Sequence, residues 1–183
     1  MVGCAGTERP RHSVVHVYSL DSDGKKRDDK KLAASIAPGT PCSQMSWPVD
    51  GPVSSPFGKR EGKMHDGIDL AVASDTPVRA ACDGVVAYAG NGLRGYGNLV
   101  ILKHADMLAT VYAHNRELLV KEGQAVTRGQ PIARSGQTGR ASAPHLHFEV
   151  RKDSIARNPL GYLRGTMKDA NQKTSARRAP VRR

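Results

Sequence analysis

Turn signals recur through the middle of this chain at intervals too short for helices. Asp83-Gly84, Asn91-Gly92, Gly95-Tyr96-Gly97, Glu122-Gly123, Arg128-Gly129 and Ser135-Gly136 separate short apolar runs, a rhythm that predicts many short strands. No window keeps a long apolar period of 3.6 residues. The expected fold class is therefore mainly β, an antiparallel sheet fold with a groove across it. Aromatic residues make up only 4% of the chain, so the core must rest on Val, Ile, Leu and Ala.

His145-Leu146-His147 sits in strand-like surroundings. Phe148 and Val150 favour strands, and Pro144 suits a strand's first position. Side chains two apart on a strand share a face, so both imidazoles aim at one region. Upstream, His65 and Asp69 are four apart in His65-Asp66-Gly67-Ile68-Asp69 and share a face in either an extended or a helical segment. Ile68 and Leu70 alternate with Asp69, which favours the extended form. Alone, either motif is weak: an H-x-H reads equally well as two solvated histidines. Together, each beside an apolar strand-like run, they point to a metal centre. Imidazole mixed with carboxylate is the ligand set of zinc rather than of calcium or magnesium. Three such ligands with a fourth position left for water make a hydrolytic centre.

Longer segments extend the pattern. They are Ser54-Ser55-Pro56-Phe57-Gly58-Lys59-Arg60, His65 to Leu70, Thr76-Pro77-Val78-Arg79-Ala80-Ala81, Asp83-Gly84-Val85-Val86 and Gly95-Tyr96-Gly97-Asn98. Tyr112-Ala113-His114, Gly123-Gln124-Ala125-Val126, Gly129-Gln130-Pro131-Ile132, Thr138-Gly139-Arg140 and Pro144 to Val150 follow in order. From Trp47-Pro48 to Tyr162-Leu163 the chain resembles the lysostaphin-type (LytM-like) zinc metalloendopeptidases, which cut the peptide part of peptidoglycan. The resemblance implies one zinc ion per chain, bound by His65, Asp69 and His147. It also implies two catalytic histidines that are not ligands, His114 and His145. Such a centre needs a base for the water's proton and a donor for the oxyanion. His145 is the expected base and His114 the expected oxyanion donor, with the two roles exchangeable.

The chain departs from the family pattern at Asn115, where leucine is usual, and at Ala143, where glycine is common. Some members of that family have lost zinc ligands and activate other wall hydrolases. All five chemical positions are present here. The expected function is thus a zinc endopeptidase acting on peptidoglycan stem peptides or cross-links, the alternative being a non-catalytic wall-binding protein or activator. A D,D-cross-link between D-alanine and meso-diaminopimelate is the first expectation for the bond cut, a glycine bridge the second.

Other residues have plainer readings. His104 ends the run Leu99-Val100-Ile101-Leu102-Lys103 and is expected to be structural or to lie in a loop. His12 and His16 are expected to be solvated. Glu149 shares strand parity with His145 and His147, so it either orients a ligand or pairs with a nearby arginine. Arg60 and Tyr112 either line the groove or pack. The stretch Val120 to Ala133 is similar to the hammerhead of biotinyl or lipoyl carriers but lacks their modified lysine beside methionine.

Composition divides the chain into a low-order N-terminal segment 1–45, a peptidase-like domain 46–163 and a basic disordered tail 164–183. The formal charge of +11 suits contact of the tail with an anionic envelope polymer or membrane surface. With no nucleic-acid module visible, no nucleic acid is expected, and the chain is expected to be a monomer. No apolar run approaches the roughly 20 residues of a membrane helix, and no full signal peptide is visible. Met1-Val2-Gly3-Cys4-Ala5-Gly6 resembles the end of a bacterial lipoprotein signal with Cys4 as the lipidated residue. The expected location is the bacterial cell envelope, periplasmic or lipid-anchored; without a missing upstream signal it would be secreted. Cys42 and Cys82 would then be left as a pair in an oxidising envelope, although Cys82 reads more readily as a small buried residue.

Overall fold

The structure, a computed structural model, describes residues 42, 44–60 and 62–165. The expected N-terminal segment up to 41, with Cys4, His12 and His16, and the tail from 166 lie outside the described residues.

The strands run as β1 (Val53–Ser55), β2 (Gly58–Arg60), β3 (Lys63–His65), β4 (Ile68–Ala71) and β5 (Pro77–Arg79). Next come β6 (Gly84–Gly90), β7 (Asn98–Lys103), β8 (Leu108–Asn115) and β9 (Glu117–Leu118). β10 (Ala125–Val126), β11 (Pro131–Arg134), β12 (His145–Lys152) and β13 (Ile155–Arg157) follow, then a short 3-10 turn, Pro159–Gly161. Every ladder between described strands is antiparallel, as expected. An eight-stranded sheet is ordered β1-β4-β12-β8-β7-β6-β10, with β13 also paired to β12. A three-stranded sheet, β5-β11-β9, and the β2-β3 hairpin complete the fold. The carrier-like stretch is not a hairpin, because β10 joins the large sheet and β11 the small one.

β12 shows how the sequence orients the large sheet. Leu146, Phe148 and Val150 enter the main core with Ile68 and Leu70 of β4 and Tyr112 of β8. The alternate residues His145, His147 and Glu149 project from the other face, as a two-residue period requires. That second face carries a smaller apolar cluster: Ala87, Leu99, Ile101, Val111 and Ala113. Each fully buried Leu, Ile or Phe contributes roughly 1.5–3 kcal/mol. A one-residue slip of β12 would drive its histidines into the main core, so the register is strongly held.

Tyr112 is core rather than groove wall. Its ring lies 5.3 Å from that of Phe148, and its hydroxyl accepts the Ala81 N–H at 2.9 Å. His104 is structural, as expected: its Nδ1–H donates to the Asp83 carbonyl at 2.7 Å, and Nε2 lies 2.7 Å from the Thr110 hydroxyl. The cysteines correct the simpler reading. Cys82 is fully buried, yet it is also joined to Cys42 in a disulfide, their Cα atoms 5.7 Å apart.

Candidate metal centre

Three strands of the large sheet, β4, β8 and β12, and the β2-β3 hairpin bring the chemistry together. Asp69 on β4 and Ala113 on β8 are both register partners of His147 on β12. His65 ends β3, and the loop after it lies against β12 because Gly67 has no side chain. A Cβ on Gly67 would come within 2.4 Å of the Phe148 carbonyl oxygen.

His65, Asp69 and His147 each point one ligand atom at a common centre, all within 4.8 Å of one another. Nε2 of His65 is 3.1 Å from Oδ1 of Asp69 and 3.2 Å from Nδ1 of His147. Nδ1 of His147 is 2.8 Å from the same Asp69 oxygen. The outward nitrogens are occupied: Nδ1 of His65 donates to the Pro56 carbonyl at 2.7 Å, and Nε2 of His147 donates to Glu149 at 3.0 Å. In the neutral tautomers this selects, three sets of lone pairs face one another. A cation at their centre relieves that repulsion, so the residues fit a metal ion, and the mixed donor set fits zinc.

The electrostatics agree. Burial alone would push the His147 imidazole down, but bonds to Asp69 and Glu149 outweigh it and carry it up to about 9. Burial alone would raise the Asp69 carboxyl, but bonds from His147 and His65 hold it well below the usual carboxylate range. Without metal, the cluster draws in a proton instead.

A buried polar network braces the centre from behind. Glu149, fully buried, accepts from Tyr96 Oη at 2.9 Å and from Arg151 Nε at 2.6 Å. Arg151 also reaches Asp66 at 3.4 Å. Both sequence readings of Glu149 thus hold together: it orients His147 and pairs with an arginine. Burial opposes its ionisation, but His147 and Arg151 outweigh this and lower its pKa.

The remaining two histidines flank the ligands. His145 Nε2 is 3.7 Å from Asp69 Oδ1, and its Nδ1 donates to the Ala143 carbonyl at 2.8 Å. The His114 ring lies 4.8 Å from that of His145 and 5.9 Å from that of His147. Its Nδ1 donates to the Thr138 carbonyl at 2.8 Å. Burial pushes the His114 imidazole down to about 4, and the neighbouring His145 and His147 push the same way. His114 adopts φ +64°, a left-handed backbone that costs energy for a residue with a Cβ. The buried Asn115 amide holds that bend by donating to the Tyr112 and Asn98 carbonyls at 2.8 and 2.9 Å. A leucine there could make neither bond.

All five candidate residues therefore line one groove of about 400 Å³. Arg60 lines it too, 3.8 Å from Asp69 and bonded to Ser55 Oγ. Sequence reasoning missed the supporting cast: Asp66, Tyr96, Thr138 and Arg151. For Arg151 a signal existed, because it shares β12 parity with His147 and Glu149. For Thr138 none did, because it acts through a backbone carbonyl that any residue carries.

Fold and site together define a β-groove domain with an imidazole and carboxylate cradle for a cation. Residues 63–159, just over half the chain, match the model of Peptidase family M23. The chain belongs to that family. Murein hydrolase activator NlpD of Escherichia coli is 49% identical over 124 residues, which cover 68% of this chain and 32% of NlpD. The lipoprotein NlpD/LppB homolog of Pseudomonas aeruginosa is 44% identical over 131 residues, covering 72% of this chain and 43% of the relative. Among solved structures, a zinc containing peptidase from Vibrio cholerae matches with TM-score 0.60 and 34% identity, covering 67% of this chain and 40% of that one. The chain thus spans 32% and 43% of the length of these two curated relatives.

Proposed function

We propose that this chain is a zinc-dependent endopeptidase of the bacterial cell envelope, hydrolysing amide bonds in peptidoglycan stem peptides or cross-links. One observation carries the reading: two further imidazoles, His114 and His145, reach the groove beside a complete ligand triad, each with Nδ1 committed to a backbone carbonyl. That commitment leaves a bare Nε2 on each. A groove serving only to bind has no need of two proton-transfer groups beside a metal cradle.

His65, Asp69 and His147 would hold the ion, which supplies Lewis-acid polarisation of a carbonyl and a more acidic water. His145 takes the proton from the attacking water, a role worth about 10²–10⁴ in rate. His114 serves the oxyanion. Because its Nδ1–H is given to Thr138, it can do so only with Nε2 protonated, by a proton taken from solvent and returned to it when the cycle ends. Glu149 keeps His147 in the tautomer that presents Nδ1 to the metal.

A second reading, an activator of other wall hydrolases, has its own support. The relatives that cover most of this chain include NlpD, a murein hydrolase activator, and such names favour activation more directly than hydrolysis. Lipoprotein relatives support the envelope location under either reading. The test is zinc content measured together with muropeptide release from purified sacculi. The hydrolase reading expects zinc near one per chain and release by the protein alone, with Asp69→Ala losing its zinc and slowing release by about a thousandfold. Zinc-loaded protein that releases nothing alone but speeds an added wall hydrolase establishes the activator instead.

A further inference from the structure

The groove's charges are unevenly matched. Its acids have partners: Asp69 faces the ligand imidazoles, and Glu149 and Asp66 face Arg151. Two of its arginines do not. Arg94 and Arg140 line the groove and are exposed, and among the described residues neither guanidinium has a side-chain hydrogen bond or ion pair.

These arginines stand on two loops that are keyed to each other. The Arg140 N–H donates to the Gly95 carbonyl at 2.9 Å. The Thr138 hydroxyl accepts the Asn98 N–H at 3.0 Å and donates to the Asn115 carbonyl at 2.7 Å. The contact is close enough to need glycine, since a Cβ on Gly139 would come within 2.4 Å of the Gly97 nitrogen. Thr138, whose carbonyl holds His114, therefore also fixes the backbone that carries Arg140. The backbone carrying the two arginines is thus held at a set place relative to the catalytic histidine, with little backbone ordering left for a ligand to impose.

Two unpaired guanidiniums in one groove repel each other and gain only when a ligand brings negative charge. Their planar forks match a carboxylate bidentately. We propose that Arg94 and Arg140 form a clamp for a free carboxylate next to the amide to be cut. The inference rests on the hydrolase reading and selects its substrate. In a cross-link from D-alanine to the side-chain amine of diaminopimelate, the carbon bearing the amide nitrogen also bears a free carboxylate. A glycine bridge offers none within reach. The clamp thus favours the diaminopimelate cross-link.

The test uses the full chain and two matched synthetic peptides. One has D-alanine joined to the side-chain amine of diaminopimelate; its twin has the adjacent carboxylate converted to carboxamide. Hydrolysis is measured as kcat/KM with wild type, and binding as Kd by fluorescence anisotropy with His145→Ala. The carboxylate peptide should be preferred about tenfold or more by both measures. The preference should shrink as salt rises. Arg94→Ala with Arg140→Ala should bring it near one, and the paired lysine replacements should restore part of it. Arg157→Ala, an exposed cation of β13 outside the groove, should leave it intact. Melting curves check that every variant is folded. Equal affinity of the His145→Ala chain for the two peptides, or a preference that survives the double alanine variant, overturns the clamp. Preferential binding without hydrolysis of either peptide upholds the clamp and removes the hydrolase reading.

Discussion

His145 and His147 are two residues apart on one strand face, yet their nitrogens are committed differently. His147 gives Nε2 to Glu149 and Nδ1 to the ligand cluster; His145 gives Nδ1 to a carbonyl and turns Nε2 toward Asp69 at 3.7 Å. The first arrangement suits a ligand, the second a proton acceptor beside a ligand. His145→Ala should therefore retain zinc and lower turnover by about 10²–10⁴. Metal analysis of the purified variant checks this, and complete loss of zinc would show that ligand and base have been confused. The same distinction explains why parity alone could not assign roles. Which nitrogen is committed depends on Glu149, whose parity serves both histidines equally, and on the Ala143 carbonyl, which no spacing reveals.

The β7-β8 hairpin is tied at its turn by His104, buried beside the Asp83 carbonyl and the Thr110 hydroxyl. Burial pushes this imidazole down from 6.5 to about 4, against a raising effect from Asp83. The folded state thus resists a proton that the unfolded chain accepts. Stability from this group is complete above pH 6.5, falls as pH drops toward about 4 and then levels off. The loss across that window is on the order of 3 kcal/mol. His114, also lowered, acts in the same direction, so the contribution must be read as a difference. Denaturant unfolding of wild type and His104→Gln between pH 7.5 and 4.5 should show the variant's stability changing less with pH. Parallel slopes would remove His104 as the cause.

At the scale of the molecule, the two ends of the described domain are fastened to each other and to the sheet. Met45 bridges Leu163, with Met45 N–H to the Tyr162 carbonyl at 2.8 Å and Arg164 N–H to the Met45 carbonyl at 2.9 Å. The Cys42–Cys82 disulfide, 40 residues apart in sequence, fastens the entering chain just ahead of that bridge. Closing a loop of that length removes unfolded-state entropy worth about 4 kcal/mol. Cys42→Ser with Cys82→Ser should therefore lower the melting temperature by roughly 10 °C or more. Thermal melts with and without reductant check it: wild type should fall toward the variant on reduction, and the variant should not respond. Melting that is unchanged in both would make the bond incidental.

The strand period and the turn residues determined the class of fold and which residues share a face, because both follow from backbone sterics that act within a few residues. That is why His145 and His147 could be read as sharing a face, and His65 and Asp69 likewise, before any coordinates. The joining of Cys42 to Cys82, the withdrawal of Tyr112 into the core and the reach of Arg151 to Asp66 were decided only in three dimensions. So was the keying of two loops that holds His114 by the Thr138 carbonyl. Each depends on distances between segments dozens of residues apart, set by sheet order and packing. Periodicity records which way a side chain points along its own strand; what it meets there is decided by the chain that arrives opposite.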